Sequence, residues 1–176
     1  MTAALRLRTL GFALAALVFG VDQWIKHAVR HDLRLGDVRQ IEVVSFFRLS
    51  WVENYGVSLG MFTAGSMEMR WGLVAVTLAI ALAVIVWMLR EKHLWDIVPL
   101  ALVLGGALGN IRDRYLFGYV VDYADLHFGE FRPFLVFNLA DAAISIGVVI
   151  ILARSFLSRE KSPKAEAEPA QPVTES

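Results

Sequence analysis

The stretch PFLVFNLADAAISIGVVIILA, residues 133–153, is long enough to cross a bilayer and carries a single charge, Asp141. An ionised carboxylate at membrane depth costs at least ~2.5 kcal/mol on the gentlest scale, so a chain that keeps one there has a use for it. Asp122 ends another apolar run, Tyr115 to Val121, and can approach Asp141 at one membrane face. Two carboxylates in a poorly hydrated place point to acid/base chemistry.

The remainder of the chain fits a membrane setting. Of its 176 residues, 57% are hydrophobic and 19% charged, outside the soluble norm. Three further apolar segments, about 5–26, 71–89 and 95–111, accompany 133–153. The first follows Arg6 and Arg8 and, taken alone, reads as the apolar part of a signal peptide. Read as a span, it needs Asp22 in its last turn near the interface. The expected fold is therefore an all-α membrane protein of four transmembrane helices, forming one integral membrane domain over 1–157. The Ser-, Pro-, Ala- and Glu-rich tail, 158–176, buries too little apolar surface to fold and is expected to be disordered.

Lys plus Arg equals Asp plus Glu at 17 each, so charge offers nothing to nucleic acid. Cysteine is absent, which removes disulfides, thiolate nucleophiles and cysteine-ligated metals. Four spans place both termini on one side. Basic residues divide evenly between the two sides, so charge alone does not orient the chain. The loop from His27 to Met69 is too long for a connector. Its segment Val38 to Val52, with alternation such as Arg48-Leu49-Ser50-Trp51, predicts one or two short strands in a small cap on the membrane surface.

Several polar groups have helical spacing. Asp22 and Lys26 stand at i,i+4, as a structural ion pair or a functional one. Asn110, Asp113 and Arg114 share one helix face after the small residues Gly105, Gly106 and Gly109, which suit close helix packing. Asn138 and Asp141 are again i,i+3. Arg114 can hold a carboxylate with two parallel donors, so Asp141 is either an active group or a structural partner of Arg114. Either Asp122 or Asp125 can be the second carboxylate; Asp122, directly after the apolar run, is the better desolvated. Asn54-Tyr55-Gly56 reads as a turn. Gly56 to Gly60 matches the G-x-S-x-G nucleophile elbow, with Ser58 as nucleophile and His127 or Lys26 as base, a pattern cheap without a strand, turn and helix around it. The four histidines are scattered and no H-E-x-x-H occurs, so no metal is expected.

Taken in order, Asp22-Gln23-x-x-Lys26, Asn54-x-Gly56, Gly105-Gly106-x-x-Gly109-Asn110-x-x-Asp113-Arg114, Val121-Asp122-Tyr123 and Phe137-Asn138-x-Ala140-Asp141 closely resemble the motifs of the lipoprotein signal peptidases, the type II bacterial signal peptidases. The match covers roughly residues 10 to 155. The resemblance implies an aspartic endopeptidase of the bacterial inner membrane that removes the signal peptide of diacylglyceryl-modified prolipoproteins before the lipidated cysteine. It implies cytoplasmic termini, a small extracytoplasmic β cradle and a site near the outer, periplasmic face. It also implies Asp122 and Asp141 as the catalytic pair, with Asp22, Lys26, Asn54, Asn110, Asp113, Arg114 and Asn138 in supporting or substrate-binding positions. No cofactor is implied; the partners are the prolipoprotein substrate and membrane lipid, and a monomer is expected. Leu59 and Arg112 depart from the family pattern, which touches substrate contact rather than the pair. The rival is a small transporter or proton relay, which would spread ionisable groups across the membrane depth; here they gather towards one face.

Truncation after Ser158 is expected to leave membrane insertion and activity nearly intact. A well-inserted truncated chain that has lost most of its activity would give the tail a role its composition does not show.

Overall fold

The computed structural model describes residues 2–56 and 67–159; Ser58 and Leu59, and the tail beyond Arg159, lie outside the described residues. Among the described residues four helices are long and apolar enough to cross a membrane: α1 (Ala3–His27), α3 (Met67–Arg90), α4 (Leu94–Phe117) and α5 (Leu139–Arg159). Leu17, Val76 and Val149, more than half exposed, lie on faces that suit lipid rather than water. A short helix, α2 (Leu35–Val38), comes after a π-helical turn, Ala28–Asp32, that prolongs α1.

α4 is the central helix. Within its most apolar stretch 56% of residues are buried, against 11 to 22% in the other three. It packs on α1, α3 and α5 at once, and its glycines permit this: a Cβ on Gly105 would lie 2.5 Å from the Ala15 carbonyl oxygen of α1, and one on Gly106 would run into Ala140 of α5. The core between the helices is Ala15, Ala81, Met88, Ile97, Leu100, Ala101 and Leu104. At the far end of the bundle Arg154 of α5 pairs with Asp96 of α4 at 2.7 Å.

The cap is a three-stranded antiparallel sheet ordered β1 (Gln40–Val44), β2 (Phe47–Asn54), β3 (Val120–Leu126). The first two are the strands expected from the alternation in Val38 to Val52. The third arises inside what reads as one apolar run, Tyr115 to Val121. Gly118 divides that run: it takes φ 86°, a conformation that suits glycine, and its N–H caps α4 through the Arg114 carbonyl at 3.1 Å. β3 is buried from Val120 to Asp125. β2 pairs with it on one side, and Phe137 bridges Ala124 on the other, with N···O distances of 2.7 and 3.0 Å.

That bridge also moves the start of the last span. The apolar run begins at Pro133, yet α5 starts at Leu139. Pro133 disfavours a helical residue before it, Phe137 spends its backbone groups on β3, and Asn138 caps the first turn of α5. Asp141 therefore stands in the first turn of a helix and not within its length.

Candidate active site

The first turn of a helix has N–H groups without intrahelical acceptors, and each of those in α5 finds a side chain. The Leu139 N–H donates to the Tyr123 hydroxyl oxygen at 3.2 Å, and the Ala140 N–H to Asp22 Oδ1 at 3.0 Å. The Asp141 N–H donates to Asn138 Oδ1 at 2.9 Å, while Asp141 Oδ2 accepts from the Asn138 N–H at 3.2 Å. Asn138 and Asp141 thus form a reciprocal capping box with Asp in place of the usual Glu or Gln. A carboxylate at a helix N-terminus is stabilised by about 0.3–1 kcal/mol, which lowers the cost of holding Asp141 here.

Asn138 joins the two carboxylates. Its Nδ2 donates to Asp122 Oδ1 at 2.6 Å, and the residue is fully buried. Asn54, at the end of β2, donates from Nδ2 to Asp122 Oδ2 at 2.9 Å and accepts the Gly56 N–H at 2.8 Å, so the Asn-x-Gly turn fixes the amide. Asp122 is 2% exposed. Burial, and next the charge of Asp141, push its pKa up to about 6, against the pull of the Asn54 and Asn138 hydrogen bonds and of Lys26. Asp141 is half-buried and opens onto an apolar cavity of about 230 Å³ between Phe134, Leu135, Phe137, Ala142 and Ser145.

A second set lies behind the first. Lys26 Nζ is 2.9 Å from both Asp22 Oδ2 and Asp113 Oδ2 and donates to Asn110 Oδ1 at 3.2 Å, with all four residues buried. Gly109 makes the room: a Cβ there would lie 2.5 Å from Asp22 Oδ2. Asn110 carries the chain of hydrogen bonds forward, donating from Nδ2 to Asp141 Oδ1 at 2.8 Å. Asp113 also accepts the Val121 N–H at 3.3 Å, tying β3 to α4 one residue before Asp122.

The structure therefore brings Asp22, Lys26, Asn54, Asn110, Asp113, Asp122, Asn138 and Asp141 into one network. Arg114 stands apart: it forms no ion pair with Asp141, and its buried Nε makes no hydrogen bond among the described residues. Asp125 lies on the opposite face of β3 from Asp122, as alternation requires. There Arg48 Nε (2.8 Å) and Ser50 Oγ (3.0 Å) donate to it. Burial acts to raise its pKa, but those bonds and the Arg48 charge outweigh it and hold the group below the usual carboxylate range. His127, one residue past β3, sits 3.8 Å from Glu42 of β1. Tyr123 is the contributor that spacing does not reveal, because its role depends on a contact across the fold.

Four membrane-length helices and a buried polar network around two carboxylates define a multi-pass membrane protein with a candidate site at one end of its bundle. The chain belongs to the signal peptidase (SPase) II family, whose model matches residues 14–157. Lipoprotein signal peptidases of Sphingopyxis alaskensis and Rhizorhabdus wittichii are each 53% identical to it, covering 91 and 92% of this chain and 92% of each relative. That of Vibrio cholerae is 35% identical over 85% of this chain and 88% of its own. A solved structure described as a bacterial membrane enzyme superposes with a TM-score of 0.75 at 26% identity, covering 91% of this chain and 95% of the other. The protein is thus a peptidase by family, and the transporter reading has no support.

Lys26→Met leaves Asp22 and Asp113 buried without their cation, so a loss of about 3–5 kcal/mol is expected. Thermal unfolding in detergent reads it. Adding Asp22→Asn and Asp113→Asn should recover part of the loss, and a single variant that melts with the wild type would show that the cluster does not hold α1 to α4.

Proposed function

We propose that this protein is an aspartic endopeptidase that removes the signal peptide of diacylglyceryl-modified prolipoproteins before the lipidated cysteine, with Asp122 and Asp141 as the catalytic pair. The observation that carries this reading is Asn138, whose side chain donates to the Asp122 carboxylate while its backbone N–H donates to the Asp141 carboxylate; burial and the Asp141 charge push the Asp122 pKa up to about 6. Like charges in a poorly hydrated site do not both ionise readily, so the pair shares a proton. The ionised member takes a proton from water, which attacks the scissile carbonyl. The protonated member supports the developing oxyanion and then protonates the leaving amine. The pair titrates as a unit, and which aspartate begins as base is left open.

Asn54, Asn110 and Asn138 orient the carboxylates, Asp22, Lys26 and Asp113 fix the helices that carry them, and Arg114, whose Nε has no acceptor among the described residues, is assigned to substrate. The apolar cavity beside Asp141 suits a substrate that arrives from lipid. Every group of the network comes from one chain, which supports a monomer as the working unit. The family likeness supports placement in the inner membrane, with cytoplasmic termini and the sheet and site at the outer face.

Asp122→Asn and Asp141→Asn are each expected to lower turnover of a diacylated prolipoprotein by about a thousandfold or more, with the double variant little worse. Asp125→Asn and Ser58→Ala should stay active; a dead Ser58→Ala with a working Asp141→Asn would replace the aspartic mechanism by a serine one. For pH, kcat/KM should fall as the pair loses its shared proton, above about pH 6 given the raised pKa of Asp122. Asn54→Ala removes a bond that favours the ionised form, so the alkaline limb moves to higher pH; a limb that stays put in Asn54→Ala would detach it from Asp122. The absence of cysteine allows single-cysteine labelling for orientation. Ser45→Cys, in the turn between β1 and β2, should react with impermeant reagents from outside, and reaction only from the cytoplasm would invert the topology.

A further inference from the structure

On the other side of Lys26 and Asp113 from the carboxylate pair, a cavity of about 550 Å³ opens between the ends of α1 and α4. Trp24, His27, Arg30, His31, Arg112 and Phe117 line it. Its floor contributes no free cation, since Lys26 is already held by two carboxylates. Its positive charge comes from Arg30 and Arg112, neither of which has an ion-pair partner among the described residues. The π-helical turn shapes this wall: the Leu33 N–H reaches back to the Ala28 carbonyl at 2.9 Å, and His27 and His31 lie with ring centroids 4.5 Å apart.

Arg30 is the telling residue. Its guanidinium carbon lies 3.7 Å from the centre of the Phe117 ring, so one face is covered and the N–H edge is left to bond. Yet Nη1 is buried and makes no hydrogen bond among the described residues. A buried donor of this kind calls for an acceptor. Arg112 donates from Nη1 to Gln23 Oε1 and keeps its other N–H groups. Two guanidinium groups at one cavity suit a phosphate, which accepts from such planar donors in pairs.

The same Arg112 lines a second, wholly apolar groove of about 350 Å³ formed by Phe19, Leu108, Ile111 and Tyr115. The groove meets the upper cavity at Arg112, with Ile111 and Tyr115 beside it, and runs down to Phe19 and Leu108, each four residues or about 6 Å before Gln23 and Arg112, which line the upper cavity. Trp24, 70% exposed and near the end of α1, suits the membrane interface, where tryptophan anchors helices. Charge above and hydrocarbon below is the profile of a membrane phospholipid and not of a soluble anion.

We propose that the cavity lined by Arg30 and Arg112 binds the phosphate headgroup of an anionic phospholipid whose acyl chain lies in the Phe19–Leu108 groove. The site is separate from the peptide-cleaving pair and distinct from the proposed substrate, whose diacylglyceryl group carries no phosphate. The inference rests on the membrane setting alone and stands whether or not Asp122 and Asp141 are catalytic.

Native mass spectrometry of the detergent-released Asp141→Asn protein tests it without turnover, using dioleoyl phosphatidylglycerol, phosphatidylcholine, dioleoylglycerol and inorganic phosphate as probes. Phosphatidylglycerol should be retained in preference to the other three. The Arg30→Gln/Arg112→Gln variant should bind it about tenfold more weakly or worse. If the double variant does not fold, Arg112→Gln, at an exposed position, carries the decision through a loss of about threefold or more. Equal retention of dioleoylglycerol or phosphatidylcholine, competition by inorganic phosphate at matched concentration, or unchanged binding by the folded variants would each overturn the assignment.

Discussion

The start of α5 is the constraint on which the rest of the site depends. A helix that begins at the edge of a membrane must satisfy its first N–H groups without abundant water. Here the acceptors are Tyr123 from β3, Asp22 from α1 and Asn138 from the cap itself. Each is also a member or neighbour of the acid network. Helix capping and the placement of Asp141 are therefore one event, and moving any of these elements would leave a buried donor unpaired, at about 1–3 kcal/mol each.

This arrangement explains why a three-stranded sheet accompanies four membrane helices. β3 delivers Asp122 and Tyr123 on opposite faces of one strand, and Phe137 closes it just before Asn138 turns the chain into α5. β2 adds Asn54 to one side of Asp122, while Arg48 and Ser50 occupy Asp125 further along. The glycines of α4 work at the same place from below, because α1 and α5 must both approach α4 closely if Asp22 is to reach Ala140.

Helical spacing made much of this legible in the sequence. Asp22 with Lys26, Asn110 with Asp113, and Asn138 with Asp141 are local pairs, and a period of 3.6 puts each pair on one face whatever the fold around it. Choices that depend on strand facing or on distant contacts were not legible. Residues 122 and 125 differ only in which face of β3 they occupy, and β3 itself was hidden because Gly118, one residue in an apolar run, changes helix into strand. An Arg114–Asp141 pair was equally compatible with the sequence, and the structure instead gives Asp141 to Asn110 and Asn138. Arg112 has its place in the cavity beside Arg30 and not beside the carboxylate pair.

The two carboxylates are alike in chemistry and unlike in surroundings. Asp122 is sealed between two amide donors, where burial favours its neutral form. Asp141 stands at a helix N-terminus, bonded to Asn110 and to the Asn138 N–H, and faces an apolar opening. The two groups are therefore not interchangeable in their surroundings. Asn138 couples them: because one side chain bonds to Asp122 and also caps the turn that carries Asp141, neither carboxylate can shift without disturbing the other.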